Sequence, residues 1–225
     1  MVTMRVVLMA CGLALLPMMS PAGAMTPQRH LSWASVVPET GLSNATILIV
    51  RHAEKPLHAS GLSPAGQMRA ELYAQYFQQF ELDGRPIHID ALVAAEDSYK
   101  SSRPRLTLEP LSIETRMSIN QPCPDRAVGE LVAWLKQRPA DQTTLVSWHH
   151  TKIAKIMAAL GADPAAFLPN GQWPDDAFDW VVALHFDQHG HLIPSASRVI
   201  HEPAGVDDVV WSVMSHPTIR PLAQD

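Results

Sequence analysis

The segment "ATILIVRHAEKP", Ala45 to Pro56, constrains the chain more than any other. Five aliphatic or β-branched residues run from Thr46 to Val50, and Arg51, His52, Glu54 and Lys55 follow without a break. A continuous apolar run of this length suits a strand buried on both faces, as in a parallel sheet. The charge at its end must then stand where the strand leaves the sheet.

The rest of the chain supports that sheet. In "GLSPAGQMRAELYAQYFQQF", Ser63 can cap a helix and Pro64 fits its first turn. Met68, Leu72, Tyr76 and Phe80 recur every four residues, flanked by Tyr73 and Phe77, and predict one apolar stripe. Ile87 to Ala95 reads as the next strand. "RPRLTLEPL" reads as a short helix ending near Pro110, and Asp125 to Gln137 as another helix. Thr143 to Trp148 is a strand, and "TKIAKIMAALG" a helix closed by Gly161. "FDWVVALHFDQHGHLIPSASRVI" predicts two strands joined around His189-Gly190. The order is β-α-β-α-α-β-α with a late β-β pair. It predicts an α/β three-layer sandwich, a mostly parallel sheet with helices on both faces. Ligands of such sheets bind outside the carboxyl ends of the strands, where the charge cluster stands.

With 225 residues and 47% hydrophobic content, one globular domain is expected. Charged residues make up 17%, against about 25% in typical domains. Part of the deficit lies in residues 1–24, where Arg5 precedes an apolar run from Val6 to Leu16 and Ala22-Gly23-Ala24 supplies small residues for cleavage. This pattern predicts a signal peptide, an exported protein in the periplasm or outside the cell, and no stable membrane insertion after cleavage. The run falls short of the roughly 20 residues that span a bilayer. An uncleaved anchor is the alternative, and lipidation at Cys11 is disfavoured by so short an apolar lead. Residues 25–44 are a lead-in segment, and 45–225 form the domain.

Loss of Arg5 takes the formal charge from −5 to −6. That argues against nucleic acid as a partner, not against a small anion in a local basic pocket. Cys123 would be the one remaining cysteine, so no intramolecular disulfide is expected. It sits in the polar stretch "QPCPDR" and reads as incidental.

Three segments that follow strands carry cations and imidazoles: Arg51-His52, Ser102-Arg103, and His149-His150. If the strands are neighbours, these side chains converge. Guanidinium groups bind phosphate oxygens in a bidentate way and keep their charge. An imidazole can attack phosphorus or hydrogen-bond the transferring group.

These residues carry a resemblance. "VRHAEK" resembles the Arg-His-Gly signature of the histidine phosphatase superfamily, the phosphoglycerate-mutase-like proteins, with Ala53 in the third position. "SSRPRLTLEPL" resembles its second-arginine segment, "LVSWHHTKI" a Trp-x-His-x-x-Ile form of its late histidine segment, and "GLSPAGQMRA" the helix start between them. The resemblance covers about Ile47 to Ile200. It implies a phosphoglycerate-mutase-like fold and a metal-independent phosphoric monoester hydrolase working through a covalent phosphohistidine. His52 would be the nucleophile, and Arg51 and Arg103 would clamp the phosphoryl oxygens. His150 would hydrogen-bond the same group. His150 is preferred to His149 because strand alternation puts it on the face of Trp148 and because Trp-x-His selects it. Two flanking arginines are expected to lower the pKa of His52. No metal and no cofactor is expected, and the partner is a small phosphorylated substrate. Oligomeric state is not legible.

The family's proton donor has no evident counterpart. Glu54, Glu96, Asp97, Asp175, Asp176 and Asp179 are candidates, each with a simpler reading as a capping, paired or surface acid. The glutamate segment that mutases use to hold a bisphosphate is not evident. Lys55 and His58 could touch substrate, Lys55 as a phosphate contact. His185, His189 and His191 could suggest a metal, but a hairpin explains their spacing better. Trp134, Trp173, Trp180 and Trp211 read as core or lid packing, and "SHPTIRPLAQD" as an extended tail. Two further readings stay open: a phosphohistidine-protein or pyrophosphate hydrolase, and a non-catalytic phosphate- or phospholipid-binding module.

Overall fold

The computed structural model describes residues 41–215. The expected signal peptide, Cys11, most of the lead-in segment and the tail beyond Ser215 lie outside them. A six-stranded sheet forms the middle layer. Its strands are β1 (Thr46–Arg51), β4 (Ala91–Ala94), β5 (Ile119–Asn120), β6 (Thr143–Trp148), β7 (Trp180–His185) and β8 (Arg198–His201), in the order β5-β4-β6-β1-β7-β8. The pairs β5-β4, β4-β6 and β6-β1 are parallel, while β7 runs antiparallel to both its neighbours. A separate ribbon pairs β2 (Glu81–Leu82) with β3 (Arg85–Pro86).

Alternation along β1 divides the core in two. Ile47 and Ile49 face one layer with Val146, Trp148, Val182 and Leu184. There they meet Leu131 and Leu135 of α3 (Val128–Leu135) and Ile153, Ile156 and Met157 of α4 (His150–Ala159). Leu48 and Val50 face the opposite layer with Leu92, Leu145 and Val181. They meet Tyr73 and Phe77 of α1 (Pro64–Gln78) and Leu108 and Leu111 of α2 (Arg103–Thr115). This is the three-layer α/β sandwich the sequence predicts. Each fully buried Leu, Ile or Val contributes about 1.5–3 kcal/mol, which is why β1 is apolar throughout Ile47–Val50.

Local signals explain several element ends. Ser63 Oγ accepts the Gly66 N–H at 3.1 Å and Pro64 opens α1. Gly161, at φ 92°, follows α4. Around Gly190, the Asp187 carboxylate accepts the His189 and His191 N–H groups at 2.8 and 2.9 Å, so the turn reading of that segment is the one found.

Other expectations need correction. The strand expected over Ile87–Ala95 is regular only from Ala91; at Asp90 the side chain, in place of the main-chain carbonyl, accepts the Thr143 N–H, while the Asp90 N–H donates to the Thr143 carbonyl. The ribbon β2-β3 was not expected, although Asp83 and Gly84 both have positive φ and carry the Asp-Gly signature of a tight hairpin. The helix over "RPRLTLEPL" does not stop at Pro110. It runs to Thr115, held by buried Leu108 and Leu111, and Arg116 closes it at φ 58°. The helix expected over Asp125–Gln137 is confined to Val128–Leu135. In α1 the buried row is Arg69, Tyr73 and Phe77, one residue on from the expected stripe. A helix α5 (Ala204–Ser215) follows β8 and was not foreseen. Its Trp211 is 63% exposed, so it is neither core nor buried lid packing. Cys123 is buried rather than displayed on a polar loop, and burial pushes its thiol up to about 11.

Gly66 shows why the start of α1 contains a glycine. A Cβ there would lie 2.3 Å from the Glu54 carbonyl oxygen, so helix and strand-end loop touch through backbone. Gly66→Ala is expected to destabilise the protein by about 1–3 kcal/mol. Gly129→Ala, in α3 with nothing within 4 Å, is expected to be neutral or stabilising by about 0.5 kcal/mol. Thermal melts of the two variants should move in opposite directions or differ by several degrees; equal melts would refute the close approach.

Candidate active site

β1 and β6 are parallel and in register, with Arg51 opposite Trp148. Their carboxyl ends are therefore level, and the His52 N–H donates to the Trp148 carbonyl at 2.9 Å. His52 is buried. Its Nδ1 lies 2.7 Å from the Ala53 carbonyl, which can only accept, so Nδ1 carries the proton and Nε2 keeps its lone pair. Burial chiefly, with His149, Arg103 and Arg51 adding to it, pulls the ring down to about 3. The arginines act in the expected direction, but desolvation is the larger cause.

The imidazole in ring contact with His52 is His149, edge-on at 5.0 Å between centroids. Strand alternation, which favoured His150, ends at Trp148: His149 caps α4 and His150 is its first residue. His150 stands on the Arg51 side, where its Nε2 lies 2.9 Å from Asp175 Oδ1. Burial lowers the pKa of both rings.

Arg51 is buried, with Nη1 donating to the Asp175 and Ala177 carbonyls at 2.5 and 3.2 Å. Its guanidinium lies 3.8 Å from the centre of the Phe178 ring. Burial pulls it down to about 10, so it stays charged at neutral pH. Arg103 opens α2 and donates to the Ala59 carbonyl at 3.0 Å. Thr107 couples the two segments, because its hydroxyl accepts the Ala53 N–H at 2.9 Å and donates to the Arg103 carbonyl at 2.8 Å. Both guanidiniums are thus held by carbonyl dipoles, which steer them without cancelling their charge. Arg51 Nε, Arg103 Nε and His150 Nδ1 are buried without a hydrogen-bond partner. Leaving such groups unpaired costs about 1–3 kcal/mol each, more for charged ones, and an oxyanion's several lone pairs could satisfy them. Lys55 is exposed at the rim, within electrostatic reach of His150. His58 is exposed on the following turn.

Behind this pocket lies a buried ion network that sequence reasoning missed. Arg69, 1% exposed, binds Glu54 at 2.8 Å, Glu202 at 2.7 Å and Asp207 at 2.7 Å. Tyr73 donates to Glu202 and to the Phe178 carbonyl. Burial pushes Glu202 up to about 7 against the pull of Arg69. The network ties α1 to the loop after His52, to the start of α5 and to the segment that backs Arg51.

It also sorts the acid candidates. Glu54 gives Oε1 to Arg69, while its Oε2 is buried without a hydrogen-bond partner. Asp97 binds Arg105 and Gln121, and Asp179 faces His201. Glu96 and Asp176 are exposed. Asp175 alone of the six has a hydrogen bond to a pocket histidine. Of the tryptophans, Trp173 is buried beside Trp180, and Trp134 packs on Arg138. His185 bonds Thr46 rather than its neighbouring histidines. Among the described residues no cluster of three His, Cys, Asp or Glu could hold a metal ion.

Replacing Arg69 by Met leaves Glu54 and Glu202 buried without their cation. The expected cost is about 3–5 kcal/mol in urea unfolding, and a loss below 1 kcal/mol would contradict the ion network. His52 makes a separate prediction. The unfolded ring takes a proton near 6.5 and the folded ring only near 3. Stability is therefore full above pH 6.5 and falls as pH drops through that window, by up to about 1.4 kcal/mol per pH unit for this group. His52→Gln should flatten the stability curve between pH 6.5 and 4 by that amount; an unchanged slope would mean that the ring is not buried neutral.

No family model and no curated protein matches the chain. Among solved structures it is similar to the protein histidine phosphatase SixA complexed with tungstate, at 18% identity over 66% of this chain and 92% of that one, with a TM-score of 0.43. It is also similar to a phosphoglycerate mutase from Plasmodium falciparum, at 14% identity over 67% and 88%, with a TM-score of 0.45. A third is a mycobacterial hydrolase, at 13% identity over 75% and 97%, with a TM-score of 0.39. At such distances the chemistry has to be read from this chain's own side chains.

Proposed function

We propose that the protein is a phosphatase of the histidine phosphatase type, hydrolysing phosphomonoesters through a phosphohistidine at His52. The observation that carries this reading is a buried, neutral imidazole whose Nε2 keeps its lone pair, set among two guanidiniums whose hydrogen bonds go to carbonyls. Phosphoryl transfer needs positioning and stabilisation of spread negative charge more than covalent machinery. Arg51 and Arg103 supply the charge through fixed donors, which is why no metal is assigned a role.

In the first step the Nε2 lone pair of His52 attacks phosphorus and the ester P–O bond breaks. In the second, water attacks phosphorus, the P–N bond breaks and its electrons return to Nε2. The leaving oxygen needs a proton, and we assign its transfer to His150. The Asp175 carboxylate accepts from Nε2–H of His150, which leaves Nδ1 as the atom that takes and gives the proton. An arriving phosphate dianion favours the protonated ring. Nδ1–H then passes its proton to the leaving oxygen and regains one from the attacking water. His149 packs against His52 and fixes its plane. The first 24 residues motivate export of this activity, testable by sequencing the amino terminus of the protein recovered outside the cytoplasm.

Turnover of p-nitrophenyl phosphate in EDTA is the direct assay. Activity should survive the chelator and vanish in His52→Ala, which should still bind inorganic phosphate. Full activity in that variant would exclude covalent catalysis at His52, and strict metal dependence would exclude the metal-free reading. Proton transfer by His150 has its own signature. His150→Ala and Asp175→Asn should slow an alkyl phosphate, whose leaving group needs the proton, at least tenfold more than the aryl ester. Equal losses on both esters would remove His150 from that role.

A further inference from the structure

Of the large apolar side chains among the described residues, Leu57 is 95% exposed and Tyr99 88% exposed. Neither lies on a helix or strand. Leu57 and His58 form the tip of a turn five residues after His52. Tyr99 and Lys100 form the tip of a second turn, closed by reciprocal main-chain bonds between Ser98 and Ser101 at 2.9 and 3.2 Å. The two turns stand side by side. The Ser102 N–H donates to the Ser60 carbonyl at 3.0 Å, and Arg103 reaches from the base of the second turn to the Ala59 carbonyl of the first. Both tips therefore flank the guanidinium that lines the phosphoryl pocket.

Turn tips favour Gly, Asn, Asp and Ser; an exposed Leu and an exposed Tyr add nothing to the fold there. Around the tips Lys55, Lys100 and Arg103 outnumber Glu96, Asp97 being paired with Arg105, although the protein is net negative, at −5. Lys55 precedes the first tip, and the Lys100 ammonium lies 5.3 Å from the Tyr99 ring. Asp175 is tied to His150 and Arg51, and Asp176 acts on Arg51, so neither acid pairs with the lysines of the tips. The tips are convex. A peptide is bound by a groove or a sheet edge, which two separate projecting side chains do not make. A fluid apolar surface beneath a layer of anionic headgroups accepts such points, with Tyr at the interface and Lys at the charge.

We propose that the Leu57 and Tyr99 turns seat the protein on an anionic phospholipid surface, with the pocket mouth turned to headgroups that end in a phosphomonoester. The second half of this inference rests on the phosphatase reading above; the first half does not. Among the described residues no helix is long and apolar enough to cross a membrane.

The test compares the full chain with its Leu57→Ser/Tyr99→Ser double variant. Both are sedimented with vesicles of phosphatidylcholine alone and of phosphatidylcholine mixed with phosphatidic acid. Both carry the same residues 1–40, so the difference reads the turns. The variant is expected to bind the phosphatidate vesicles at least tenfold more weakly. Its hydrolysis of vesicle phosphatidate should fall in parallel, while its turnover of soluble p-nitrophenyl phosphate and its melting temperature stay unchanged. Lys100→Glu should weaken vesicle binding several-fold. Equal sedimentation of wild type and double variant would overturn the proposal. So would a loss of binding to a soluble phosphopeptide with vesicle binding intact, which would make this a protein-binding face. Absence of turnover on every substrate would defeat the phosphatase reading alone, because sedimentation needs no catalysis.

Discussion

Two parallel strands that end level with each other set the position of everything else. The register that puts Arg51 beside Trp148 also puts the residues after them, His52 and His149, edge to edge. A shift of one residue would turn Ile47 and Ile49 out of their core layer and would move the imidazoles apart with them. The same apolar alternation that builds the core therefore aims the site. This is a physical reason for a strand interior without a single charge to be followed directly by four ionisable residues in five positions.

Burial and charge are then combined without mutual cancellation. Among the described residues no carboxylate is hydrogen-bonded to Arg51 or Arg103, and Asp175, Asp176 and Glu54 act on Arg51 only through space. Main-chain carbonyls fix the guanidiniums and leave their field directed at the space near His52. The carboxylates gather one layer back, on Arg69, where they anchor α1, α5 and the loop after His52. Phe178 joins the two layers. Its ring stacks on Arg51, and its carbonyl accepts from Tyr73, a member of the rear network.

The fold class and three of the converging segments were legible because each rests on a local signal: an unbroken apolar run, a Ser-Pro cap, a guanidinium or imidazole just past a strand. What escaped reading depended on where the chain changes regime. Alternation favoured His150 over His149 for contact with His52, but at that point the backbone leaves the strand for a helix and period two no longer applies. Arg69 lies outside the apolar stripe expected of its helix, and no local signal marks it as buried. Only tertiary structure brings it Glu202 and Asp207, more than 130 positions away. The end of α2 was misplaced because a proline was weighed above the packing of Leu108 and Leu111 on either side of it. The Asp-Gly turn at residues 83 and 84 carried a usable signal that the longer apolar pattern of Ile87–Ala95 obscured. The fixed partner of His150, Asp175, sits in a cluster of acids that no local pattern ranks.

The central claim is that one anion-sized space is shared by His52, Arg51 and Arg103. Orthovanadate, which adopts the five-coordinate geometry of a phosphoryl group in transfer, tests it most directly in a crystal of the protein. The account predicts vanadium bonded to Nε2 of His52, with both guanidiniums and Nδ1 of His150 within hydrogen-bonding distance of its oxygens. Vanadate bound elsewhere, or bound with His52 turned away and either arginine out of reach, would contradict it.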